Sequence, residues 1–267
     1  MTKAETFGTL LDEMRATAPL VQCITNYVAM NIAANVLLAA GGSPAMVHAQ
    51  EEAGEFAGFA GALTVNIGTL SPTWVDGMKA AIGGAVAARR PWVLDPVAHF
   101  ATGFRRKVTA DLLALGPTVV RGNASEIIAL AGGVSSARGV DSRDPVEQAE
   151  EAARWLAHKQ RCIVAVTGAT DLVTDGNRAT RIEGGSPLMP KVTALGCSLT
   201  CLVGAYAAIR PQDPFGATVA ALTHFAVAGE QAGKQSPGPG SFAVGFLDLL
   251  AEVDGVMLDK LARVVRL

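Results

Sequence analysis

The chain has 267 residues, half of them apolar, and its 22 basic and 24 acidic residues give a formal net charge of -2. A chain of this length buries a large hydrophobic core, and the sequence predicts a single domain over residues 1–267. No run of basic residues is long enough to follow a phosphate backbone, which argues against nucleic acid as a partner.

The sequence gives no indication of export or membrane insertion. The N-terminal run MTKAETFGTLLDEMR contains acidic residues and lacks the apolar core of a secretory signal. Apolar segments such as IAANVLLAA stop at Gly41 and Gly42, well short of the roughly 20 residues that span a bilayer. Four scattered cysteines, without the paired spacing of a zinc site, are typical of reduced thiols. A cytoplasmic protein without membrane contact is therefore predicted.

Short apolar runs alternate with helical segments along the first two thirds of the chain. This pattern is typical of a parallel sheet covered on both faces, and hence of the α/β class. Two further runs around Asp175 and Gly176 predict a β-hairpin that adds an antiparallel edge. From Gly196 onward the chain is predicted to be mostly helical, and the polar segment 131–145 is predicted to be a mobile loop. The parallel strands are predicted at 19–25, 44–47, 62–68, 92–96, 118–123 and 162–168.

Several polar residues stand where helices are expected to begin. Asn26 is predicted to cap a helix that ends at Gly41, and Ser71, which precedes a proline, to cap another. Asn123, followed three residues later by Glu126, matches a capping box. Each predicted helix start shows where the strand before it must have ended.

Ligands of a parallel α/β sheet bind beyond the carboxyl ends of the strands. As residue types, Met46 and Cys23 are more often core residues than ligand contacts, and the four histidines show no metal-ligand spacing. The residues that the sequence places at the strand ends are Asn26, Met46, Gly68, Asp95, Arg121, Asn123, Glu126, Thr167 and Gly168.

Asp95 and Glu126 are candidates for holding Mg²⁺ through water beside phosphate oxygens. The alternative is that Glu126 only completes the capping box and Asp95 caps the next helix. Arg121, one strand end away, favours the phosphate interpretation because a planar guanidinium pairs with phosphate oxygens. The Thr167 hydroxyl would be within reach of the same phosphate or of a nucleotide edge.

The run KVTALGCSLT carries the clearest functional signal. Backbone N–H groups of Ala194, Leu195, Gly196 and Cys197, at the positive end of a predicted helix, suit the charge of a transferring phosphate. A helix N-terminus lowers a thiol pKa from about 8.5, so Cys197 would accept a hydroxyl proton or orient the hydroxyl. The alternative is that Cys197 and Cys201 are small core residues, and for Cys201 this interpretation is preferred.

These motifs resemble a known family. TVVRGNASEI is similar to the N-x-x-E magnesium and phosphate motif of ribokinase-like small-molecule kinases. Such kinases have a three-layer α/β/α sandwich with a mostly parallel central sheet and a short antiparallel edge, which becomes the predicted fold. Cysteine at 197 followed by SLT resembles the hydroxyethylthiazole kinases of thiamine biosynthesis and salvage. Further motifs of that family occur in order between about residues 19 and 247: CITNYVAMNIAANVLLAAGGSPAM, ALTVNIGTLSP, WVLDPV and GPGSF.

The resemblance implies ATP-dependent phosphorylation of the hydroxyl of 5-(2-hydroxyethyl)-4-methylthiazole. It also implies a homotrimer with active sites between subunits. Carried over by position, it implies a thiazole pocket at Met46, Ala194, Asn26 and Gly68, ATP contacts at Arg121 and Thr167, Mg²⁺ at Asp95 and Glu126, and the base position at Cys197.

The chain departs from the family pattern at two places. Ala194 and Leu195 stand where the family usually has Gly-Thr, and a methyl at 194 is tolerable if that residue has a negative φ. Ala98, His99 and Phe100 follow DPV, where the family usually continues G-A-G. Altered substrate shape or slower turnover would follow if this loop covers the site.

Two other functions stay open at this point. One is a ribokinase-like kinase for another small heterocyclic alcohol, and the other is a sensor that binds the nucleotide or the thiazole without turnover. A cysteine hydrolase is disfavoured because the sequence places no histidine as a partner of Cys197.

Overall fold

The computed structural model describes residues 6–133 and 146–267. Within the segment predicted to be a mobile loop, residues 134–145 lie outside the described residues. No helix in the described part of the chain is both long and apolar enough to cross a membrane.

The described strands form one sheet, in which the first six are parallel and the last three run antiparallel to their neighbours. The strands are β1 (Leu20–Ile24), β2 (Ser43–Ala45), β3 (Ala62–Asn66), β4 (Trp92–Asp95), β5 (Val119–Asn123), β6 (Ile163–Thr167), β7 (Thr170–Thr174), β8 (Ala179–Glu183) and β9 (Arg263–Arg266). Their order is β2-β1-β3-β4-β5-β6-β7-β8-β9. The predicted parallel sheet and hairpin are confirmed, whereas the edge strand β9 was missed within a region predicted to be helical.

Helices cover both faces of the sheet, and two short 3-10 turns (His99–Ala101 and Met189–Lys191) interrupt the loops. The helices are α1 (Phe7–Thr17), α2 (Met30–Ala40), α3 (Gln50–Phe59), α4 (Pro72–Ala87), α5 (Gly103–Leu113), α6 (Ala124–Leu130), α7 (Val146–Gln160), α8 (Leu195–Ile209), α9 (Pro214–Gln235), α10 (Pro239–Glu252) and α11 (Gly255–Leu261).

Successive strand residues pack into two separate hydrophobic cores. Val93 and Val119 pack with α1, α2, α8, α9 and α10 on one face, while Leu94 and Val120 pack with α3 to α7 on the other. Side chains of a strand alternate between the faces of its sheet, so each face acquires its own helical layer. The predicted three-layer α/β/α sandwich is confirmed.

The predicted helix starts agree with the structure at two of three positions. Ser71 accepts a hydrogen bond from the N–H of Trp74 at 3.2 Å and caps α4. Asn123 and Glu126 form the predicted capping box of α6. Asn26 does not cap α2, which begins at Met30; its Oδ1 instead accepts from two N–H groups of the preceding turn. That turn leaves the Asn26 amino group free to face the sheet.

Candidate active site

The first turn of α8 presents backbone donors at the carboxyl end of the sheet. Its N-cap, Ala194, has no side chain that accepts from the helix, and the first intrahelical bond runs from the N–H of Ser198 to the carbonyl of Ala194 at 2.9 Å. The N–H groups of Leu195, Gly196 and Cys197 therefore have no partner within the helix. Such donors, at the positive end of the helix dipole, suit a bound anion.

Ala194 adopts a left-handed conformation, with φ 62° and ψ 8°. The negative φ that would make its methyl tolerable is absent. Ala98, in the second segment that departs from the family pattern, also has a positive φ, of 47°. In each case an alanine occupies a conformation that glycine adopts without steric cost and that costs other residues about 1–2 kcal/mol.

Replacing Ala194 with glycine is therefore expected to raise the free energy of unfolding by about 0.5–1 kcal/mol, because relief of strain exceeds the added entropy of the unfolded chain. Urea denaturation measures this change. Ala18→Gly is the matched control, since Ala18 has φ 43° at the end of α1, away from α8's first turn. Both variants should gain stability, and loss of stability in Ala194→Gly alone would contradict the strain assigned to this residue.

Arg121, on β5, lies directly against the start of α8. One guanidinium nitrogen donates to Thr167 Oγ1 at 2.6 Å, and the other terminal nitrogen is 3.6 Å from Asp95 Oδ2. A Cβ atom on Gly196 would lie 2.8 Å from that second nitrogen, so only glycine allows this approach. A cation thus packs on the positive end of a helix, and an anion bound there would be stabilised by both.

A chain of buried polar groups connects Cys197 to this guanidinium. Asn26 Nδ2 donates to Cys197 Sγ at 3.3 Å and to Asn66 Oδ1 at 2.9 Å. Asn66 Nδ2 in turn donates to Asp95 Oδ2 at 2.8 Å, and Thr200 Oγ1 donates to the same oxygen at 2.8 Å. The structure therefore brings together residues of β3, β4, β5, β6 and α8, and Asn26 from the loop after β1, at one end of the sheet.

Two members of this polar network, Asn66 and Thr200, were not predicted from the sequence. Asn66 closes the apolar strand β3 directly opposite Asp95 in the strand register, a position that strand-end reasoning could have found. Thr200 lies one helical turn beyond Gly196 and is buried, so its type and spacing look like those of an ordinary core threonine. Its role becomes visible only from its contact with Asp95.

Of the other two residues predicted to line the thiazole pocket, Gly68 belongs to the polar network and Met46 does not. The N–H of Gly68 donates to Asn66 Oδ1 at 2.9 Å, and a Cβ there would lie 2.6 Å from Asn26 Nδ2. Met46 lies outside the network, after the edge strand β2, where it is half-buried and packs against the core. Cys201 is buried in the core, as predicted.

The carboxylate of Glu126 is engaged by backbone donors at both oxygens. Oε1 accepts from the N–H of Ala98 at 2.9 Å, and Oε2 accepts from the N–H of Asn123 at 2.8 Å. The predicted capping box of Glu126 is present, whereas the alternative that Asp95 caps the next helix is wrong, because Ala98 and Thr102 are the N-caps that follow it and Asp95 Oδ2 accepts from Asn66 and Thr200. Burial, with the Asp95 charge adding to it, raises the pKa of Glu126 to about 7.

Asp95 is fully buried, and burial raises its pKa although the charge of Arg121 opposes the shift. Its Oδ1 has no hydrogen-bond partner among the described residues. Among the described residues, no group of three or more His, Cys, Asp or Glu side chains could hold a metal alone. Mg²⁺ commonly keeps several waters and takes one or two carboxylates plus substrate phosphates. Asp95 Oδ1 and the neighbouring Glu126 fit an ion that arrives with a nucleotide.

The raised pKa of Glu126 predicts a pH-dependent contribution to stability. Because the native state binds this proton more tightly than the unfolded chain, the contribution is present below the ordinary pKa of 4.5 and is lost as the pH rises through about 7. We expect a loss of roughly 3 kcal/mol, since each pKa unit is worth about 1.4 kcal/mol. Denaturation of the wild type and Glu126→Gln without Mg²⁺ should give curves that diverge across this range, and parallel curves would contradict the assignment.

Cys197 differs from its predicted state. Burial and the Asp95 charge raise the pKa of its thiol to about 12, where a lowered value was predicted. The helix dipole acts here on a half-buried thiol near the Asp95 carboxylate, and both the loss of hydration and that charge disfavour the thiolate. The free protein therefore carries a neutral thiol at this position, which is suited to orient a hydroxyl group.

The hydroxyethylthiazole kinase family model matches residues 11–255, which include every strand except β9 and the whole of the polar network. The chain belongs to the hydroxyethylthiazole kinase family. A relative of that name from Rhizobium johnstonii is 71% identical over 257 residues, with 96% of each chain covered.

Solved structures agree with membership of this family. The hydroxyethylthiazole kinase protein from Pyrococcus horikoshii superposes with a TM-score of 0.89 at 37% identity and covers 98% of both chains. A ribokinase-like superfamily protein from Enterococcus faecalis has a TM-score of 0.63 at 11% identity, covering 96% of this chain and 92% of its own. This second similarity shows the ribokinase-like fold alone.

Proposed function

We propose that this protein transfers the γ-phosphoryl group of ATP to the hydroxyl of 5-(2-hydroxyethyl)-4-methylthiazole, forming the thiazole phosphate and ADP. Family membership over residues 11–255 supports the reaction. The observation that carries it is the first turn of α8, where unpaired N–H groups lie between the Arg121 guanidinium and the Cys197 thiol. The guanidinium would bind phosphate oxygens, and the thiol would orient the acceptor alcohol.

The nucleotide side of the site is built from Arg121 and Thr167. The guanidinium, oriented by the Thr167 hydroxyl, would bind phosphate oxygens of ATP through its remaining N–H groups. The N–H groups of Leu195, Gly196 and Cys197 would stabilise the charge on the transferring phosphoryl group. Phosphoryl transfer depends mainly on positioning and charge stabilisation, so these residues supply most of what the reaction requires.

The alcohol side is built around Cys197. Its sulfur accepts from Asn26, so its S–H is free to bond the substrate hydroxyl and orient the oxygen towards the phosphorus. We place the thiazole ring against Met46, Asn26, Gly68 and Ala194. A loose transition state leaves the alcohol proton in place until late in the transfer, so a neutral thiol is sufficient.

Mg²⁺ would neutralise charge on the nucleotide phosphates when bound. Asp95 and Glu126 are the residues that would hold it, through water and through Asp95 Oδ1, which has no other partner in the described part of the chain. The backbone donors on both Glu126 oxygens keep that carboxylate in place for such an outer contact.

We also propose that the protein acts as a cytoplasmic homotrimer whose sites lie between subunits. Tyr27 and Val28, directly after Asn26, are 66% and 61% exposed, and adjacent exposed apolar side chains suit a contact between subunits. Met46 follows the edge strand β2, where a neighbouring subunit would complete a pocket. The four cysteines are free, as expected in a reducing compartment.

An assay of ADP formation against a panel of primary alcohols tests the reaction. The thiazole alcohol should support turnover, and Cys197→Ala should lower kcat by roughly 10- to 100-fold if the thiol orients the hydroxyl. Transfer only to pyrimidine alcohols would replace this proposal with a kinase of another heterocycle. Tight binding of ATP and thiazole with no ADP formed would replace it with a sensor.

A further inference from the structure

A buried amide, that of Asn66, joins the two sides of the candidate site. Asn66 is the last residue of β3 and is 3% exposed. Its Oδ1 accepts from Asn26 Nδ2 and from the N–H of Gly68, both at 2.9 Å, and its Nδ2 donates to Asp95 Oδ2 at 2.8 Å. Partners at both ends leave this amide a single orientation.

On the alcohol side, this orientation determines how Cys197 is held. Asn26 Oδ1 already accepts from the N–H groups of Val28 and Ala29 at 3.1 Å, so only its amino group can face the site. That amino group donates to Asn66 Oδ1 and to Cys197 Sγ. The sulfur is consequently an acceptor, and its S–H points away from Asn26.

On the phosphate side, Asn66 determines which oxygen of Asp95 is occupied. Oδ2 accepts from Asn66 and Thr200 at 2.8 Å and lies 3.6 Å from Arg121, while Oδ1 has no partner within residues 6–133 and 146–267. Without the Asn66 donor, the Asp95 carboxylate would lose one of the two hydrogen bonds that occupy Oδ2. The Arg121 guanidinium, which pairs with this carboxylate, would then be less firmly positioned.

We propose that Asn66 is a positioning residue that holds the Cys197 thiol and the Asp95–Arg121 pair in register, acting through Asn26 on one side and through Asp95 on the other. The inference deepens the proposed function and rests on it. Phosphoryl transfer is sensitive to displacement of either reactant, because misplacement by about 1 Å costs up to roughly 100-fold in rate.

Two substitutions of Asn66 separate the two contacts. Asn66→Asp keeps an acceptor for Asn26 and Gly68 but sets a second carboxyl group against Asp95 Oδ2, where the two either repel or share one proton, whereas Asn66→Ala removes both contacts. We expect kcat to fall by roughly 10- to 100-fold in Asn66→Ala. KM for the alcohol should rise in Asn66→Ala and change little in Asn66→Asp, because only the former releases the thiazole side. A wild-type kcat in Asn66→Ala would overturn the inference.

Thr200 provides an independent test if the Asn66 variants fold poorly. Thr200→Val removes the second donor to Asp95 Oδ2 at nearly constant volume. Thr223→Val is its matched control, because Thr223 is also a buried helical threonine bonded to the carbonyl four residues earlier, in α9. The inference predicts that kcat falls in Thr200→Val and not in Thr223→Val, at similar melting temperatures, and equal kcat values would overturn the phosphate side of it.

A double-mutant cycle tests the link to the thiol. Asn66→Ala combined with Cys197→Ala should lower kcat by several-fold less than the product of the two single effects, because residues of one network are not independent. Multiplicative effects would overturn the alcohol side of the inference. If the wild type phosphorylates no alcohol, the proposed function fails and this inference fails with it; wild-type turnover with an unaffected Asn66→Ala variant refutes the inference alone.

Discussion

Gly196→Ala should abolish most phosphoryl transfer, with kcat/KM for ATP reduced by about 100-fold or more. The added methyl would stand 2.8 and 2.9 Å from the two terminal nitrogens of Arg121. The guanidinium is buried and held by Thr167 and Asp95, so moving it away breaks the contacts that orient it. The α8 backbone would otherwise have to move, which would displace its N–H donors.

The control for this substitution is Gly83→Ala, within α4. A Cβ atom on Gly83 would meet no atom of the described residues within 4 Å, so the same chemical change there should leave kinetics unchanged and increase helix stability by about 0.5–1 kcal/mol. Steady-state kinetics and melting temperatures of both variants measure the contrast. Retention of wild-type kcat/KM in Gly196→Ala would show that the close contact between Arg121 and α8 has no part in catalysis.

Arg121→Lys should raise KM for ATP strongly and lower kcat/KM by roughly 100-fold, although the positive charge is retained. A single ammonium group lacks the planar fork that lets the guanidinium bond Thr167 and pair with Asp95 while further N–H groups face the phosphates. The free energy of unfolding should fall less than in a variant without a positive charge at position 121, because the lysine still offers a cation to the buried Asp95.

Arg154→Lys is the corresponding control. Arg154 also makes several bonds, to Glu150 and to the carbonyl of Asn177, but it does so beside the turn of the β7–β8 hairpin at the opposite end of the sheet. Its kinetic constants should match the wild type. Similar KM values for ATP in Arg121→Lys and Arg154→Lys would remove Arg121 from the nucleotide site.

The positions of most site residues followed from the sequence because parallel strands have one common carboxyl edge. Asp95, Arg121 and Thr167 were placed there by the ends of apolar runs, and the structure brings them into contact. Asn66 was not predicted because the apolar run of β3 extends to Gly68, two residues beyond the end of the strand. The contacts among the site residues depend on strand register, which apolar runs do not encode.

Quantities that depend on three-dimensional surroundings were the least predictable. The thiol pKa of Cys197 is raised by burial and by the charge of Asp95. Asp95 lies 102 positions away in the sequence, and the sequence alone does not predict that the two residues come close together. The left-handed backbone of Ala194 is imposed by the turn into α8, although alanine alone favours negative φ. Strand β9, with the sequence RVVR, is too short and charged to resemble a strand before its pairing with β8 is seen.

The central claim is that the first turn of α8 receives the transferring phosphoryl group. A crystal structure of the protein with ADP, Mg²⁺, aluminium fluoride and the thiazole alcohol tests it most directly, because aluminium fluoride occupies the position of that group. We predict its fluorine atoms within hydrogen-bond distance of the N–H groups of Gly196 and Cys197, with the alcohol oxygen beside Cys197 Sγ. Aluminium fluoride bound away from α8, with the alcohol remote from Cys197, would contradict the proposed site.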